Sequence, residues 1–165
     1  MEMEYKKIIV LGCSGSGKST FSKKLSKKTG LPLYYLDMLY WNNDWTHISR
    51  EEFREKQKEI MKGDEWILDG NFRGTIETRL KHCELAYFLD FPVEVCLDGI
   101  KQRVGKRRED MPCVAAELDS DLVTFVKNFS TDCRPKMLEL FRKYPNVKVI
   151  TFKSRKEADE YLKNL

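Results

Sequence analysis

The sequence predicts an α/β protein in which helices cover both faces of a five-stranded parallel sheet, giving three layers. Short apolar runs suited to buried strands alternate with segments of helical periodicity, and this alternation is typical of a parallel sheet. A glycine-rich turn joins the first apolar run to the first helix. The composition, 41% hydrophobic and 34% charged over 165 residues, suits one compact domain with a real core. We therefore expect a single domain over residues 1–165.

Three strands are predicted in the first half of the chain. Residues 6–11 and 31–36 are apolar runs rich in β-branched or aromatic side chains, which favour buried strands. Gly30 is placed to end the helix between them. Ser49 opens a capping box for the next helix, and residues 65–68 form the third run. The second and third runs are each followed directly by an aspartate.

Two further strands are predicted in the second half, at residues 85–89 and 147–151. Pro92 suits the first turn of a helix that follows the fourth strand, and Ser154 caps the C-terminal helix. Between these helices the periodicity is lost and then regained. We expect residues 106–134 to form a short lid-like excursion from the domain.

The turn after the first strand fits the phosphate-binding pattern G-x-x-x-x-G-K-[ST] without a mismatch. Its glycines let successive backbone N–H groups and a helix N-terminus point at an anion. Lys18 would reach the β- and γ-phosphates of ATP, and the Ser19 hydroxyl would hold Mg²⁺. The alternative is a glycine-rich turn that binds nothing. The residues expected to contact the nucleotide are Gly12, Ser14, Gly15, Ser16, Gly17, Lys18, Ser19 and Thr20.

Two aspartates that follow strands are candidate functional residues, since ligands of such sheets lie beyond the carboxyl ends of the strands. Asp69 ends a run of Walker-B form, so it would complete a magnesium site with Ser19. Asp37 would lie near the γ-phosphate, where it accepts a proton from an attacking hydroxyl or orients it. For both residues the alternative is a structural role in a turn or helix cap.

Composition and charge predict a cytoplasmic protein but do not identify its binding partner. The five cysteines contain no C-x-x-C pair and are expected to be free thiols of a cytoplasmic protein. No apolar stretch approaches the roughly 20 residues of a membrane span, and residues 1–4 lack signal-peptide features. The net charge is +4, and the basic cluster at 106–108 suits nucleic acid, a phosphorylated ligand or water.

Three segments resemble the adenylate kinase branch of the P-loop kinases, namely residues 37–39, 69–73 and 103–108. Within that branch, the tryptophans after Asp37 and the segment 66–71 are most similar to the small proteins named DNA topology modulation proteins (FlaR-like). The resemblance implies ATP and Mg²⁺ as cofactors and transfer of the γ-phosphate to a small acceptor, such as a nucleotide or nucleoside. The family name suggests an alternative, ATP-dependent regulation of DNA, for which we find no helix-turn-helix signature.

The resemblance also implies roles for four arginines. Arg103 and Arg107 would meet the ATP adenine and phosphates from the lid side, with Arg107 stabilising the transferring phosphoryl group. Their spacing places them on one helix face, and a guanidinium fits phosphate geometry; a solvated basic helix end is the alternative. Arg73 matches the arginine that grips an acceptor phosphate, and Arg79 would assist it.

Two departures from adenylate kinases concern the acceptor. Tyr40 stands where they place an acceptor-phosphate arginine, and Phe72 replaces the proline before Arg73, so AMP is not the expected acceptor. Trp41 and its aromatic neighbours would stack on a base or another flat group, or else pack a helix on the sheet. We expect a small-molecule phosphoacceptor of open identity.

Overall fold

The computed structural model describes residues 4–165, which contain a five-stranded sheet whose strands are all parallel. The strand order is β2-β3-β1-β4-β5. Each predicted strand is present, with ends within two residues of those expected. The strands are β1 Lys7–Gly12, β2 Leu33–Tyr35, β3 Trp66–Asp69, β4 Leu85–Leu89 and β5 Lys148–Phe152.

Eight helices flank this sheet in the described chain. Gly30 ends the first of them in the left-handed conformation, with φ of 76°, and Ser49 and Ser154 cap later helices by accepting a backbone N–H three residues on. These three predictions are confirmed. The helices are α1 Lys18–Thr29, α2 Leu36–Tyr40, α3 Arg50–Met61, α4 Arg73–His82, α5 Val93–Arg103, α6 Ser120–Asp132, α7 Arg134–Lys143 and α8 Arg155–Lys163.

The core lies along the three central strands β3, β1 and β4, where nearly every side chain is buried. Such continuous apolar runs are expected where helices cover both faces of a parallel sheet. The register pairs Val10 with Asp69 and Gly12 with Leu89. Because all strands run the same way, Gly12 and Asp69 reach the same edge of the sheet.

The end of the second strand differs from the prediction. Leu36 was expected to end the strand, but β2 stops at Tyr35 and Leu36 opens the short helix α2. The Leu36 side chain is fully buried and lies against Gly70, where an added Cβ would be 3.0 Å from the Leu36 Cβ. Leu36 is buried whether it belongs to a strand or to a helix, so the apolar pattern of the sequence does not reveal that β2 ends before it.

Residues 104–119, which we call the crossing segment, join α5 to α6 without a helix or strand of their own. Asp110 accepts a hydrogen bond from the Ser19 hydroxyl at 2.7 Å. Glu109 pairs with Lys23 at 2.7 Å. The first part of the expected lid therefore crosses the start of α1, and α6 forms the remainder.

The sequence analysis also predicted free thiols and no membrane-spanning stretch. All five cysteines are buried free thiols. Across residues 4–165, no helix has both the length and the apolar character that a membrane crossing requires.

Candidate functional site

The phosphate-binding loop follows β1 and has the wound conformation that its glycines allow. Gly15 and Gly17 have φ values of 84° and 94°, in the left-handed region that favours glycine. The N–H of Ser16 donates to the Cys13 carbonyl at 3.0 Å, closing the turn. Lys18 begins α1 and its Nζ donates to the same carbonyl at 3.4 Å.

The loop is held from one side by α5. A Cβ on Gly99 of that helix would lie 2.8 Å from the Gly15 carbonyl carbon and closer still to its oxygen. Only a glycine permits this approach of two backbones. The signal for Gly99 was present in the sequence, because a glycine inside a helix costs about 1 kcal/mol and commonly has a packing reason.

The loop is held from the other side by Asn71, which follows β3. The Asn71 side chain accepts from the Gly12 N–H at 3.1 Å and donates to the Gly12 carbonyl at 2.5 Å. Gly12 and the fully buried Ser16 were both predicted to contact the nucleotide, but neither lines the cavity described next. Sequence reasoning singled out the segment of Asn71 but not this contact.

A cavity of about 510 Å³ lies beyond the carboxyl edge of the sheet. The structure brings most of the predicted nucleotide site to its wall, from regions of the chain that are far apart in sequence. The predicted residues that line it are Ser14, Gly15, Gly17, Lys18, Ser19, Thr20, Asp37, Asp69, Arg103 and Arg107.

Three aspartates line this cavity, Asp37, Asp69 and Asp110, together with Glu109. Burial raises the pKa of Asp69 to about 7, opposed by Lys18 and reinforced by the other two aspartates. Burial also raises the pKa of Asp37, again opposed by Lys18. Sequence reasoning missed Asp110, which lies in a stretch without periodicity and is 91 residues from its partner Ser19.

The residues present fit a magnesium ion. Asp69 is 4% exposed, and its Oδ1 has no hydrogen-bond partner among residues 4–165. Carboxylate and hydroxyl oxygens suit Mg²⁺, which in phosphotransfer sites is shared with substrate phosphates. Within the described residues, no group of three or more His, Cys, Asp or Glu side chains is arranged to hold a metal ion. Ser19 and Asp69 are thus candidate ligands within a shared site.

Four arginines line the same cavity, namely Arg103, Arg107, Arg108 and Arg155. Arg103 is half-buried, and burial lowers its pKa to about 10, with the neighbouring Arg108 acting in the same direction. Arg107 is exposed. Arg155, at the start of α8, donates to the carbonyls of Gly15 and Ser16 at 3.0 and 3.2 Å. Sequence reasoning missed Arg155, since nothing distinguishes it locally from a surface arginine.

The residues predicted for the acceptor separate into different places. Arg73 is exposed at the start of α4 and lines a second cavity of about 320 Å³. Arg79 is fully buried and donates to the carbonyls of Gly70 at 2.7 Å, Asn71, and Phe72 at 3.3 Å. This corrects the prediction for Arg79: its guanidinium holds the backbone after β3 and offers no surface to an acceptor.

The prediction for Trp41 is corrected as well. Its ring packs edge-on against Tyr40 and Trp45, with centroids 5.0 and 5.7 Å apart. Its backbone forms an antiparallel bridge with His47. Trp41 lines neither of the two cavities, and its ring contacts aromatic residues of its own segment, not the sheet.

Comparison with curated proteins found relatives over part of the chain. It is 32% identical over 106 residues to the uncharacterised protein YqaC of Bacillus subtilis, and 32% identical over 106 residues to an adenylate kinase of Thermotoga maritima. These alignments cover 62% and 60% of this chain but 58% and 47% of those proteins. The chain thus spans about half the length of the curated relatives it matches. No family model matches it.

Solved structures resemble the chain over nearly its whole length. Shikimate kinase from Acinetobacter baumannii, in complex with shikimate, has a TM-score of 0.63 at 17% identity, covering 98% of this chain and 93% of that one. Shikimate kinase from Aquifex aeolicus has a TM-score of 0.54 at 21% identity, covering 95% and 92%. The chain has the P-loop kinase fold. The predicted three-layer fold class is confirmed, and membership of the DNA topology modulation proteins stays a prediction.

Proposed function

We propose that this protein is an ATP-dependent phosphotransferase that moves the γ-phosphate of ATP to a small acceptor. One observation carries the proposal: a single cavity combines the phosphate loop, Asp37, Asp69 and the arginines 103 and 107. These parts belong to four different regions of the chain. A site that joins phosphate-binding amides, carboxylates and arginines has the components that phosphoryl transfer requires.

The donor side is built for positioning and charge neutralisation. Backbone N–H groups of residues 15–20 and the Lys18 ammonium hold the ATP phosphates. Ser19 and Asp69 would hold magnesium, which supplies further neutralisation of phosphate charge when bound. Arg107 is exposed and lines the cavity, where it would stabilise charge on the transferring group.

Asp37 serves the acceptor side. It lies in the first turn of α2 and lines the cavity that also contains Lys18. Burial raises the pKa of its carboxyl group, which makes the carboxylate a better proton acceptor at neutral pH than an exposed aspartate. It orients the acceptor hydroxyl or takes its proton.

The position of the basic cluster supports this function over DNA binding. Lys106, Arg107 and Arg108 all line the cavity, so these side chains lie beside the proposed ATP phosphates. A cluster that serves DNA would be expected to form part of a continuous basic face with salt-dependent affinity.

The test is a screen of nucleotides, nucleosides and other small metabolites for acceptor-dependent release of ADP. Lys18→Ala should reduce turnover by about 100-fold or more, because it removes a charge from the phosphate site. The matched control Lys27→Ala, an exposed lysine on α1, should leave it unchanged. In parallel, Arg107→Ala should lower transfer by about 1000-fold without altering DNA affinity. Parental turnover in both variants, with a loss of salt-dependent DNA binding in Arg107→Ala, would overturn the proposal.

A further inference from the structure

The second cavity, of about 320 Å³, lies between α2, α3 and α4. It differs from the phosphate cavity in the chemistry of its wall, which combines aromatic rings with arginines. None of its lining residues is acidic. The lining side chains that matter are Tyr40, Phe53, Phe72, Arg50, Arg54 and Arg73.

The aromatic rings form one cluster. Phe72 lies 4.7 Å from Phe53 and 5.1 Å from Tyr40 between ring centroids. Its φ of 40° is unusual for a residue other than glycine. Its carbonyl accepts from Arg79 at 3.3 Å and from the Thr75 N–H at 2.9 Å, which stabilises this conformation. Strain of this kind persists where surrounding contacts enforce it, and it is concentrated at ligand sites.

The arginines leave positive charge without a counter-ion. Arg50 and Arg54 are one helical turn apart on α3 and therefore share a face. Both are exposed, and among the described residues neither side chain forms a hydrogen bond or ion pair. The Arg73 guanidinium donates to the Asp132 carbonyl at 3.4 Å. Three guanidinium groups around one cavity are suited to an oxyanion.

The two cavities are adjacent. On α2, Asp37 lines the phosphate cavity and Tyr40 lines the second one; three residues of helix advance about 4.5 Å along the axis. After β3, Gly70 lines the first cavity and Arg73 the second. A molecule in the second cavity is therefore within reach of Asp37.

We propose that this second cavity binds the phosphoacceptor, and that the acceptor is a small hydroxylated anion with a carboxylate or phosphate group on a single ring. Arg50, Arg54 and Arg73 contact the anionic group, and the ring packs against Tyr40 and Phe72. A volume of about 320 Å³ lies at the lower end of the roughly 300–1,000 Å³ of ligand pockets, which suits a small ligand such as one ring with one acidic group. This inference rests on the proposed phosphotransferase function and specifies its acceptor.

The transfer that follows is balanced. The acceptor hydroxyl oxygen forms a bond to the γ-phosphorus of ATP. The bond from that phosphorus to the β,γ-bridging oxygen breaks, and its electron pair leaves with ADP. The hydroxyl proton passes to Asp37, whose carboxylate lines the phosphate cavity.

The test measures binding of three probes to the full chain by calorimetry, with ADP saturating the phosphate loop. Phenyl phosphate and benzoate are ring anions that distinguish phosphate from carboxylate, and phenol is their neutral control. At least one anion should bind ten times more tightly than phenol. Arg50→Gln and Arg54→Gln should each weaken that anion at least tenfold, whereas Arg142→Gln, an exposed arginine on α7, should not. Unchanged affinity in both α3 variants, or no anion better than phenol, would overturn the proposal.

A second variant tests the ring contact without changing charge. Phe72→Leu should weaken the binding of the ring anion severalfold and leave the binding of methyl phosphate unaffected. Equal losses of affinity for both probes would exclude a ring contact at Phe72.

The proposed function and the proposed acceptor cavity can be refuted separately. Anion binding that depends on Arg50 and Arg54, without any transfer from ATP, would refute the function and retain the cavity. Transfer with an unchanged KM in Arg54→Gln would refute the cavity and retain the function.

Discussion

Substitution of Gly99 by alanine adds one methyl group at the contact between α5 and the phosphate loop. The new Cβ would lie 2.8 Å from the Gly15 carbonyl carbon and 2.9 Å from its Cα, and closer still to its oxygen. Favourable contacts between carbon atoms occur at about 3.5–4.0 Å. Both partners are backbone, so no flexible side chain can move aside. The helix and the loop must separate by about 1 Å.

The expected loss of stability follows from two opposing effects. Alanine in place of glycine stabilises a helix interior by about 1 kcal/mol, whereas overpacking a tight contact costs about 1–3 kcal/mol. Because the contact at Gly99 is between backbones, the cost lies at the upper end. We expect a net loss of about 2 kcal/mol in the free energy of unfolding, or about 6 °C in Tm, and weaker MgATP binding.

Urea denaturation followed by circular dichroism measures the first effect, and calorimetric titration with MgATP the second. Gly74→Ala is the matched control for stability, because Gly74 is also helical and a Cβ there meets no atom within 4 Å. That control should gain about 0.5 kcal/mol. If Gly99→Ala matched the control in stability and the parent in MgATP affinity, the close packing of the loop on α5 would be wrong.

Two further predictions concern buried charged groups. Burial raises the pKa of Asp69 from 3.8 to about 7, so between these pH values the folded chain binds a proton that the unfolded chain lacks. Asp69 should therefore contribute a fall of about 1.4 kcal/mol per pH unit in the parent's free energy of unfolding as pH rises from 4 to 7, and Asp37, whose pKa is also raised, adds a fall of the same sign. Denaturation should show this slope flattened in Asp69→Asn and retained in the exposed control Asp64→Asn; parallel curves for the parent and Asp69→Asn would contradict it. Arg79→Met removes the donors to three backbone carbonyls. It should lower the free energy of unfolding by about 2–4 kcal/mol and also weaken anion binding in the second cavity. A parental free energy of unfolding, measured by urea denaturation, would contradict this prediction.

The fold was predictable because its signals are local. A strand buried on both faces appears as a continuous apolar run, and helix ends such as Gly30, Ser49 and Ser154 depend on the residue itself and its near neighbours. The phosphate loop is also a local structure. The short helix α2 escaped prediction because burial of Leu36 leaves the same apolar pattern in a strand and in a helix.

The rest of the site depends on contacts between distant residues. Asn71 meets Gly12 across 59 residues, and Arg155 meets the loop across 140. No spacing in the sequence reveals such a partner. Arg79 shows the same limit in the opposite direction: its type and position suggested a phosphate contact, but its guanidinium faces the backbone of residues 70–72.

Donor and acceptor recognition are therefore encoded differently in this chain. The proposed site for the ATP phosphates is one continuous loop, which a motif can describe. The proposed acceptor cavity is assembled from three helices, and its wall depends on Phe72 in an unusual conformation that a buried Arg79 supports. Tyr40 takes the place of the arginine that adenylate kinases have after the Asp-Met-Leu triplet, and positive charge enters the cavity from Arg50 and Arg54 on α3 instead. In the proposed acceptor cavity, an anion held by arginines of α3 beside aromatic rings would differ in shape from one held by an arginine at the position of Tyr40. Similarity on the donor side therefore does not transfer the acceptor of a relative to this protein.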